Sequence, residues 1–449
     1  MKYLTVVYYD TFARFFSAIE DEVRLRDGEA EFLHLALFPS AYLYLALERK
    51  AVRLLPWEAT KASSAVASVE AAELDRIGAY HSYILSGAGK GADLRVRERA
   101  AKYVNAVSEI LREFRPDRVI MSGDTRIACE ALSFCLARDW PDVPKFHFEQ
   151  GPGGTTILDR EGVNANCSFR RDVAALTGEG YVAEIPQKRS RFKRNRVFRA
   201  VDHLLVRSLG VLSRLPVEWM TLPMPRCAEP RYAACLESAE PSAATFSGPC
   251  VLVALQVPDD ANNIHHNPLG LGDAQFVGMV GRVVRQLGGR VLVREHPLYR
   301  RKYSAEMYAL IASAPGVTLS SADLKEDLAA AGVVVTVNSM TGFDAYMSNV
   351  PAIVLGRAFY DHLPGIVRVG TESDLETSIA LIQNKGVSEL LGGRDPGAIV
   401  TQMRDRYFIK GHMLDAELIA ASGVADRLVA SAVDTADSGY GGSAGAVIG

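Results

Sequence analysis

Short apolar runs alternate along this chain with longer amphipathic segments. Near the start, the β-branched and aromatic run Tyr3–Tyr9 precedes a helical stretch over Thr11–Arg26. The same alternation predicts further strands at Arg118–Met121, Lys145–Glu149, Cys250–Leu255, Arg290–Arg294, Val333–Val337 and Ala352–Leu355. It predicts helices at Ile127–Arg138, Asp273–Gln286, Ala305–Ser313, Asp323–Ala331 and Thr341–Ser348. Short strands that alternate with helices are typical of parallel sheets wound by right-handed crossovers.

We therefore predict an α/β protein with two Rossmann-like domains. The first is expected over residues 1–235 and the second over residues 248–433. The segment 225–248 between them is rich in Pro, Ala, Ser and Glu, as linkers tend to be. Residues 434–449 are rich in Gly, Ser and Ala and are expected to form a flexible tail.

Composition excludes several classes of protein. The chain has 449 residues and a formal net charge of −3, which argues against a dedicated nucleic-acid-binding protein. Its six cysteines show no CxxC spacing, so neither a zinc site nor a disulfide framework is expected. The first residues lack a signal-peptide pattern, and no apolar run reaches the roughly 18 residues needed to cross a bilayer. We therefore expect a cytoplasmic protein, either soluble or bound to a surface.

Polar side chains follow two strands of the predicted second domain. Gln256 and Asp260 come directly after one strand, with Asn263 close behind, and such groups suit a sugar-handling site. The alternative is a polar turn in which an Asp caps the next helix. At the end of the next strand, Arg294 and the following pair His296-Pro297 can contact a phosphate, although Arg294 could instead pair with Glu295 and a single His is often structural.

A third strand end of the second domain predicts an anion site. Asn338, Ser339, Thr341 and Gly342 begin a helix there, and the free N–H groups of a helix N-terminus attract anions. Simple helix capping by Asn338 or Ser339 is compatible with this. Together with the His-Pro pair, this helix start predicts a nucleotide phosphate bound by the second domain.

In the first domain, Glu149 ends a strand and is a candidate acid or base. An alternative pairs it with Arg170 or Arg171. The glycine-rich stretch that begins at Gly151, and Asn164 beyond it, are interpreted as backbone that approaches another domain or a ligand closely. The chain has no DxD triplet and no HExxH motif, and we expect no metal ligand set and no cofactor.

A dense basic segment precedes an amphipathic stretch in the first domain. Such a segment is a candidate for contact with anionic lipid headgroups, and the alternative is a solvated helix face whose apolar side lies in the core. Its basic residues are Lys188, Arg189, Arg191, Lys193, Arg194, Arg196 and Arg199.

Four motifs in order resemble the capsule polysaccharide biosynthesis family, which includes retaining β-Kdo transferases (Kdo is 3-deoxy-D-manno-octulosonic acid). They are FEQG…GVNANCSF, QVPDD, REHP and VNSMTGFDAYMSNVPAIVLGRAFY. The resemblance runs from about residue 118 to about residue 370. It implies a GT-B-like enzyme, in which an acceptor-side domain faces a CMP-sugar-binding domain across a cleft.

The resemblance also implies roles for the residues above. The family's QxxxD motif matches Gln256 and Asp260, and its aspartate is associated with covalent, retaining chemistry. The His-Pro and Asn-Ser motifs match positions that hold CMP in the family. The segment after Glu149 departs from the family's usual Glu-x-Gly-aromatic or Glu-x-Gly-Arg pattern. The resemblance therefore supports the acceptor-side roles less than the donor-side roles.

The resemblance thus predicts transfer of Kdo from CMP-β-Kdo to a lipid or lipid-linked glycan. It also predicts a peripheral position on the inner face of the inner membrane and the capsule export machinery as a partner. Three alternatives stay open: transfer of another CMP-activated sugar such as sialic acid, epimerisation of a sugar nucleotide, and a non-catalytic scaffold for capsule assembly. Release of free sugar without an acceptor would favour the epimerase.

Overall fold

The computed structural model describes residues 1–65, 69–86, 93–184, 189–193, 196–210, 228–233 and 246–437. Its strands, numbered in chain order, are β1 Lys2–Val7, β2 Glu31–Ala36, β3 Val52–Leu54, β4 Arg118–Ser122, β5 Lys145–Gly151, β6 Thr155–Asp159, β7 Cys250–Ala254, β8 Arg290–Arg294, β9 Val317–Leu319, β10 Val333–Thr336, β11 Ala352–Val354, β12 Val367–Arg368 and β13 Phe408–Lys410. Every predicted strand is present, within about two residues of the expected bounds.

Helices connect these strands. In the first half of the chain they span Asp10–Arg26, Pro39–Leu47, Leu55–Lys61, Ala71–Ile77, Ala79–Ser86, Leu94–Phe114, Ile127–Asp139 and Arg196–Gly210. In the second half they span Ala261–His265, Asp273–Gln286, Ala305–Ser313, Leu324–Ala330, Met340–Met347, Glu372–Leu391, Pro396–Tyr407 and Ile419–Asp437. Short 3-10 turns lie at Asn164–Asn166, Ser168–Arg170 and Asp172–Ala175.

The strands form two separate sheets. The first has the order β13-β6-β5-β4-β1-β2-β3, and the second has the order β12-β11-β10-β7-β8-β9. All pairings in the second sheet are parallel, and so are those from β5 to β3 in the first. Apolar clusters cover both faces of each sheet, as parallel sheets require. The predicted α/β class with two Rossmann-like domains across a cleft is confirmed.

The glycine-rich stretch forms a tight hairpin. It turns β5 back into β6, which pairs antiparallel with it, and Gly153 and Gly154 adopt φ values of 64° and 75° that favour glycine. A Cβ on Gly151 would lie 2.3 Å from the Thr155 side-chain oxygen. Gly151 therefore allows a close approach within its own hairpin, and not the approach to another domain or a ligand that the sequence suggested.

The end of the chain returns to the first sheet. Strand β13 pairs antiparallel with β6, and the helix Ile419–Asp437 packs on the helix Asp10–Arg26. Arg26 fixes this helix pair through Asp426, at 2.7 Å. The second domain was expected to continue to residue 433, whereas residues 408–437 contact the first sheet. The expected boundary at residue 235 and most of the tail at 434–449 lie outside the described residues.

A further apolar cluster joins the two sheets. It contains Phe169 after β6 and Phe343, Phe359 and Phe408 from the second half of the chain. Beside it, Arg170 donates to both carboxylate oxygens of Asp361, at 2.9 and 2.5 Å. The Asp361 side chain is only 1% exposed, so this is a buried ion pair between the domains.

Candidate functional site

The predicted strand-end motifs converge on one cavity of about 610 Å³ between the two sheets. Such crevices at the carboxyl ends of parallel strands are where open α/β proteins bind ligands. The cavity is lined, among others, by Glu149 and Asn164 from the first domain and by Gln256, Asp260, Arg294, His296, Pro297, Asn338, Ser339 and Thr341 from the second. We call it the donor compartment.

A second cavity of about 620 Å³ adjoins the first. The two share Glu149, Asn164 and Asp260 among their lining residues. Its other walls include aromatic side chains and charges of the first domain, namely Tyr8, Tyr9, Phe12, Tyr80, Asp124, Arg126 and Phe148. We call it the acceptor compartment, and the two candidate catalytic carboxylates lie where the compartments meet.

Asp260 combines an exposed carboxylate with a structural role. Its side chain accepts a hydrogen bond from the Asn262 backbone N–H at 2.8 Å, which caps the helix Ala261–His265. The expected helix cap is therefore present. Because the residue is exposed and lines both compartments, capping leaves the carboxylate accessible to a ligand.

Glu149 has the environment of a residue that exchanges protons near neutral pH. Burial raises its pKa to about 7, with a further rise from the charges of Asp260 and Asp124, while a hydrogen bond from the Gln150 backbone N–H opposes the shift. The alternative that pairs Glu149 with Arg170 or Arg171 is wrong for Arg170, which binds Asp361. Among the described residues, no cation lies within ion-pair distance of Glu149.

On the donor side, hydrogen bonds of Asn338 connect the segments that follow two strands. Its backbone N–H donates to the Gln256 side chain at 3.3 Å, and its side-chain amide donates to the carbonyl groups of Asn262 and His266. Its Oδ1 is buried and has no partner among the described residues, so it remains an acceptor for a ligand.

The predicted anion site lies at the N-terminus of the helix Met340–Met347. Ser339 caps this helix by accepting from the Thr341 N–H at 3.3 Å, and Tyr360 donates to the Ser339 carbonyl. Gly342 does not line the cavity. A Cβ there would lie 2.5 Å from the Tyr360 hydroxyl, so Gly342 lets that tyrosine pack against the helix.

His296 is half-buried at the cavity wall. Its Nδ1 accepts from the Leu298 backbone N–H at 3.3 Å, which places the proton of the neutral ring on Nε2. Burial lowers its pKa, and the charge of Asp260 opposes this. At neutral pH the Nε2–H of the ring is therefore a hydrogen-bond donor.

Arg294 and Asn263 have other partners than expected. Arg294 donates to Asp327 at 2.5 Å, and not to the neighbouring Glu295 that the sequence suggested. Asn263 donates to the Pro258 carbonyl at 3.3 Å and lines a third cavity of about 530 Å³, which shares Gln256 with the donor compartment.

The sequence did not single out Asp124 or Arg126. Asp124 accepts from the Val163 N–H at 3.0 Å and from the Asn166 side chain at 2.9 Å, which fixes the loop that carries Asn164. Asn164 adopts a φ of 53°, an uncommon backbone conformation that marks strain at a site. The position of Asp124 directly after a strand was the signal that could have found it.

Some residues of the basic segment form ion pairs within the protein. Arg189 donates to Asp415, and Arg199 pairs with Asp202 and stacks at 4.1 Å on the Tyr9 ring. Three of its residues are exposed, namely Arg191, Lys193 and Arg196, while Lys188 and Arg194 lie outside the described residues.

Two kinds of feature are absent from the described residues. No group of three or more His, Cys, Asp or Glu side chains there could hold a metal ion. No helix in the same part of the chain has the length and apolar character to cross a bilayer.

Solved structures with a similar arrangement include UDP-GlcNAc 2-epimerase from Neisseria meningitidis, with 13% identity, a TM-score of 0.37, and coverage of 96% of this chain and 100% of that one. They also include KpsC from Thermosulfurimonas dismutans, a β-Kdo 2,7 transferase, with 12% identity, a TM-score of 0.38, and coverage of 73% and 89%. No curated protein matches the sequence.

The family comparison addresses the second domain. The model of the family described as "Capsule polysaccharide biosynthesis protein" matches residues 226–378. This range contains three of the four motifs on which the resemblance rested, including Asp260, His296 and Ser339. Residues 226–378 of the chain are thus similar to the capsule polysaccharide biosynthesis family.

Proposed function

We propose that the protein is a glycosyltransferase that moves Kdo from CMP-β-Kdo, with retention, to a hydroxyl group of a lipid or lipid-linked glycan. The observation that carries this proposal is the position of Asp260 and Glu149 at the junction of two cavities. One cavity offers groups suited to a nucleotide phosphate, and the other offers aromatic walls suited to a sugar ring.

In the first step, the Asp260 carboxylate attacks the anomeric carbon of the donor. The bond from that carbon to the phosphate oxygen breaks, and CMP leaves with the electron pair. The free N–H groups at the start of the helix Met340–Met347 and the His296 Nε2–H stabilise the departing phosphate. The sugar is then held as an ester of Asp260.

In the second step, the acceptor hydroxyl attacks the same carbon on the face that CMP has left, opposite the ester bond to Asp260. Glu149 takes the hydroxyl proton as the new glycosidic bond forms, and the ester bond breaks to return Asp260 as a carboxylate. Two displacements at one carbon retain its configuration. The match of residues 226–378 to the capsule polysaccharide biosynthesis family supports a role in capsule synthesis.

The direct test is incubation of the protein with CMP-Kdo, generated in situ, and a panel of lipid and glycan acceptors. We expect mass spectrometry to find acceptor carrying one added Kdo, and NMR to show the β configuration. Transfer from CMP-sialic acid but not from CMP-Kdo would contradict the proposed donor. Free sugar without a product would favour the epimerase, and no turnover with any donor would favour the scaffold.

The pKa of Glu149 predicts a pH dependence. The base must be ionised, and a pKa of about 7 means that this form is lost as the pH falls through 7. We expect the transfer rate to rise between about pH 6 and pH 8 and then to level off. Glu149→Gln is expected to lose roughly 10²- to 10⁴-fold in kcat and to lose this acid limb.

Glu161→Gln is the matched control, since Glu161 is exposed and lines neither compartment. It should keep both the rate and the acid limb. An unchanged acid limb in Glu149→Gln would assign the titration to another group.

Contact of the basic segment with an anionic membrane stays a prediction. Among the described residues of the segment it depends on Arg191, Lys193 and Arg196, since Arg189 and Arg199 bind carboxylates of the protein.

A further inference from the structure

Arg126 is a half-buried cation in the wall of the acceptor compartment. It precedes the helix Ile127–Asp139, and its guanidinium lies 4.5 Å from the centre of the Tyr80 ring and 5.6 Å from that of Tyr8. Within the part of the chain that the structure describes, no carboxylate oxygen lies within 4 Å of it. A cation held between aromatic rings and without an ion-pair partner is available to an anionic ligand.

The other charged side chains in the wall of the compartment differ in the hydrogen bonds that they already make within the protein. Asp124 already accepts two hydrogen bonds from the loop at Val163–Asn166. Lys302, the other cation in the wall, donates to the Leu298 carbonyl at 3.4 Å. The remaining carboxyl groups in the wall are Glu149, Asp259 and Asp260.

The structure couples Arg126 to Asp260 in two ways. Burial lowers the pKa of Arg126, but Tyr8, Tyr80, Tyr9 and the charge of Asp260 outweigh this, so that the pKa lies above its ordinary value. In addition, the Tyr80 hydroxyl donates to the Asp259 carbonyl at 3.3 Å. The ring that stacks on Arg126 thus also holds the turn that presents Asp260.

The proposed reaction removes the negative charge of Asp260 at the stage when the acceptor must bind. Once Asp260 carries the sugar as an ester, its negative charge is gone. The negative charge of Asp260 then no longer acts on Arg126, and a desolvated cation attracts another anion.

We propose that Arg126 selects an acceptor that carries an anionic group, a carboxylate or a phosphate, close to its reacting hydroxyl, and that it binds this group most strongly after Asp260 has been glycosylated. This inference rests on the proposed function, since it requires the ester on Asp260. It assigns to one residue both a preference among acceptors and an order of binding.

The test measures binding without turnover, because Asp260→Asn imitates the neutral ester. The probes are the methyl glycoside of Kdo and its carboxamide, and glycerol 1-phosphate and glycerol. By titration calorimetry we expect Asp260→Asn to bind the anionic probes roughly tenfold more tightly than the unaltered protein does. The neutral probes should show no such gain.

Variants of Arg126 decide the assignment. Adding Arg126→Gln to Asp260→Asn should abolish the gain, and Arg126→Lys should keep part of it. Arg138→Gln, at the far end of the same helix, should leave it intact, since Arg138 pairs with Asp139 away from both compartments. CMP binding in the donor compartment verifies that each variant is folded.

The outcomes separate the sources of the anion and the two proposals. A gain with the sugar carboxylate alone indicates a glycan acceptor, and a gain with the phosphate alone indicates a lipid headgroup. No gain, an equal gain for neutral probes, or a gain that survives Arg126→Gln overturns the inference. Normal turnover by Asp260→Asn would instead overturn the proposed ester.

Discussion

Asp260→Asn is expected to lower kcat by at least about 10³-fold while the protein remains folded and still binds CMP. Asn caps helices about as well as Asp, so the hydrogen bond to the Asn262 N–H survives the substitution. What the variant loses is the nucleophilic oxygen and its charge. The measurement is single-turnover transfer from CMP-Kdo, with CMP binding followed in parallel.

Two further variants test whether the loss of activity is specific to the Asp260 carboxylate. Asp395→Asn is the matched control, because Asp395 also caps a helix, Pro396–Tyr407, and lines neither compartment. It should transfer at the normal rate. Asp260→Ala removes the cap as well and should be as inactive as Asp260→Asn, with lower stability. Near-normal transfer by either Asp260 variant would reject this residue as the nucleophile.

Arg170→Ala is expected to lower the free energy of unfolding by about 3 kcal/mol. The substitution leaves the Asp361 carboxylate, which is 1% exposed, with the Ala358 N–H at 3.3 Å as its remaining hydrogen bond and the His362 ring nitrogen at 3.7 Å. An unpaired buried charge is far more costly than the loss of an exposed ion pair. The measurement is the midpoint of urea denaturation, read by circular dichroism.

The neighbouring Arg171 provides the control. It is exposed, and Arg171→Ala should change the free energy of unfolding by no more than about 0.5 kcal/mol. Replacing both partners, as Arg170→Leu with Asp361→Leu, should recover part of the loss, because no charge then remains buried. Equal effects of Arg170→Ala and Arg171→Ala would contradict the importance of the buried pair.

The sequence predicted the sheets and the donor side of the site well because both depend on local signals. The strand Arg290–Arg294 and the helices Asp273–Gln286 and Ala305–Ser313 have the bounds that periodicity predicts. His296, Asn338 and Ser339 reach one cavity because the carboxyl ends of parallel strands share one edge.

What the sequence could not show are contacts between distant segments. Arg294 pairs with Asp327, 33 positions away, and Arg170 pairs with Asp361 in the other domain, and no local pattern distinguishes these partners from nearer ones. Arg126 went unnoticed for the same reason, since its value to a ligand depends on Tyr8 and Tyr80 enclosing it.

The return of the chain end to the first sheet has a consequence for protein synthesis. The helix Asp10–Arg26 buries Phe15 and Phe16, yet part of its cover comes from the helix Ile419–Asp437, which the ribosome makes only after the strands of the second sheet. Strand β6 likewise gains its neighbour β13 only after those strands have been made. The nascent first domain therefore presents an unpaired strand edge and an open apolar face while the second sheet is being made. Such surfaces are what chaperones bind, so the yield of folded protein should depend more on chaperones than two independently folding domains would require.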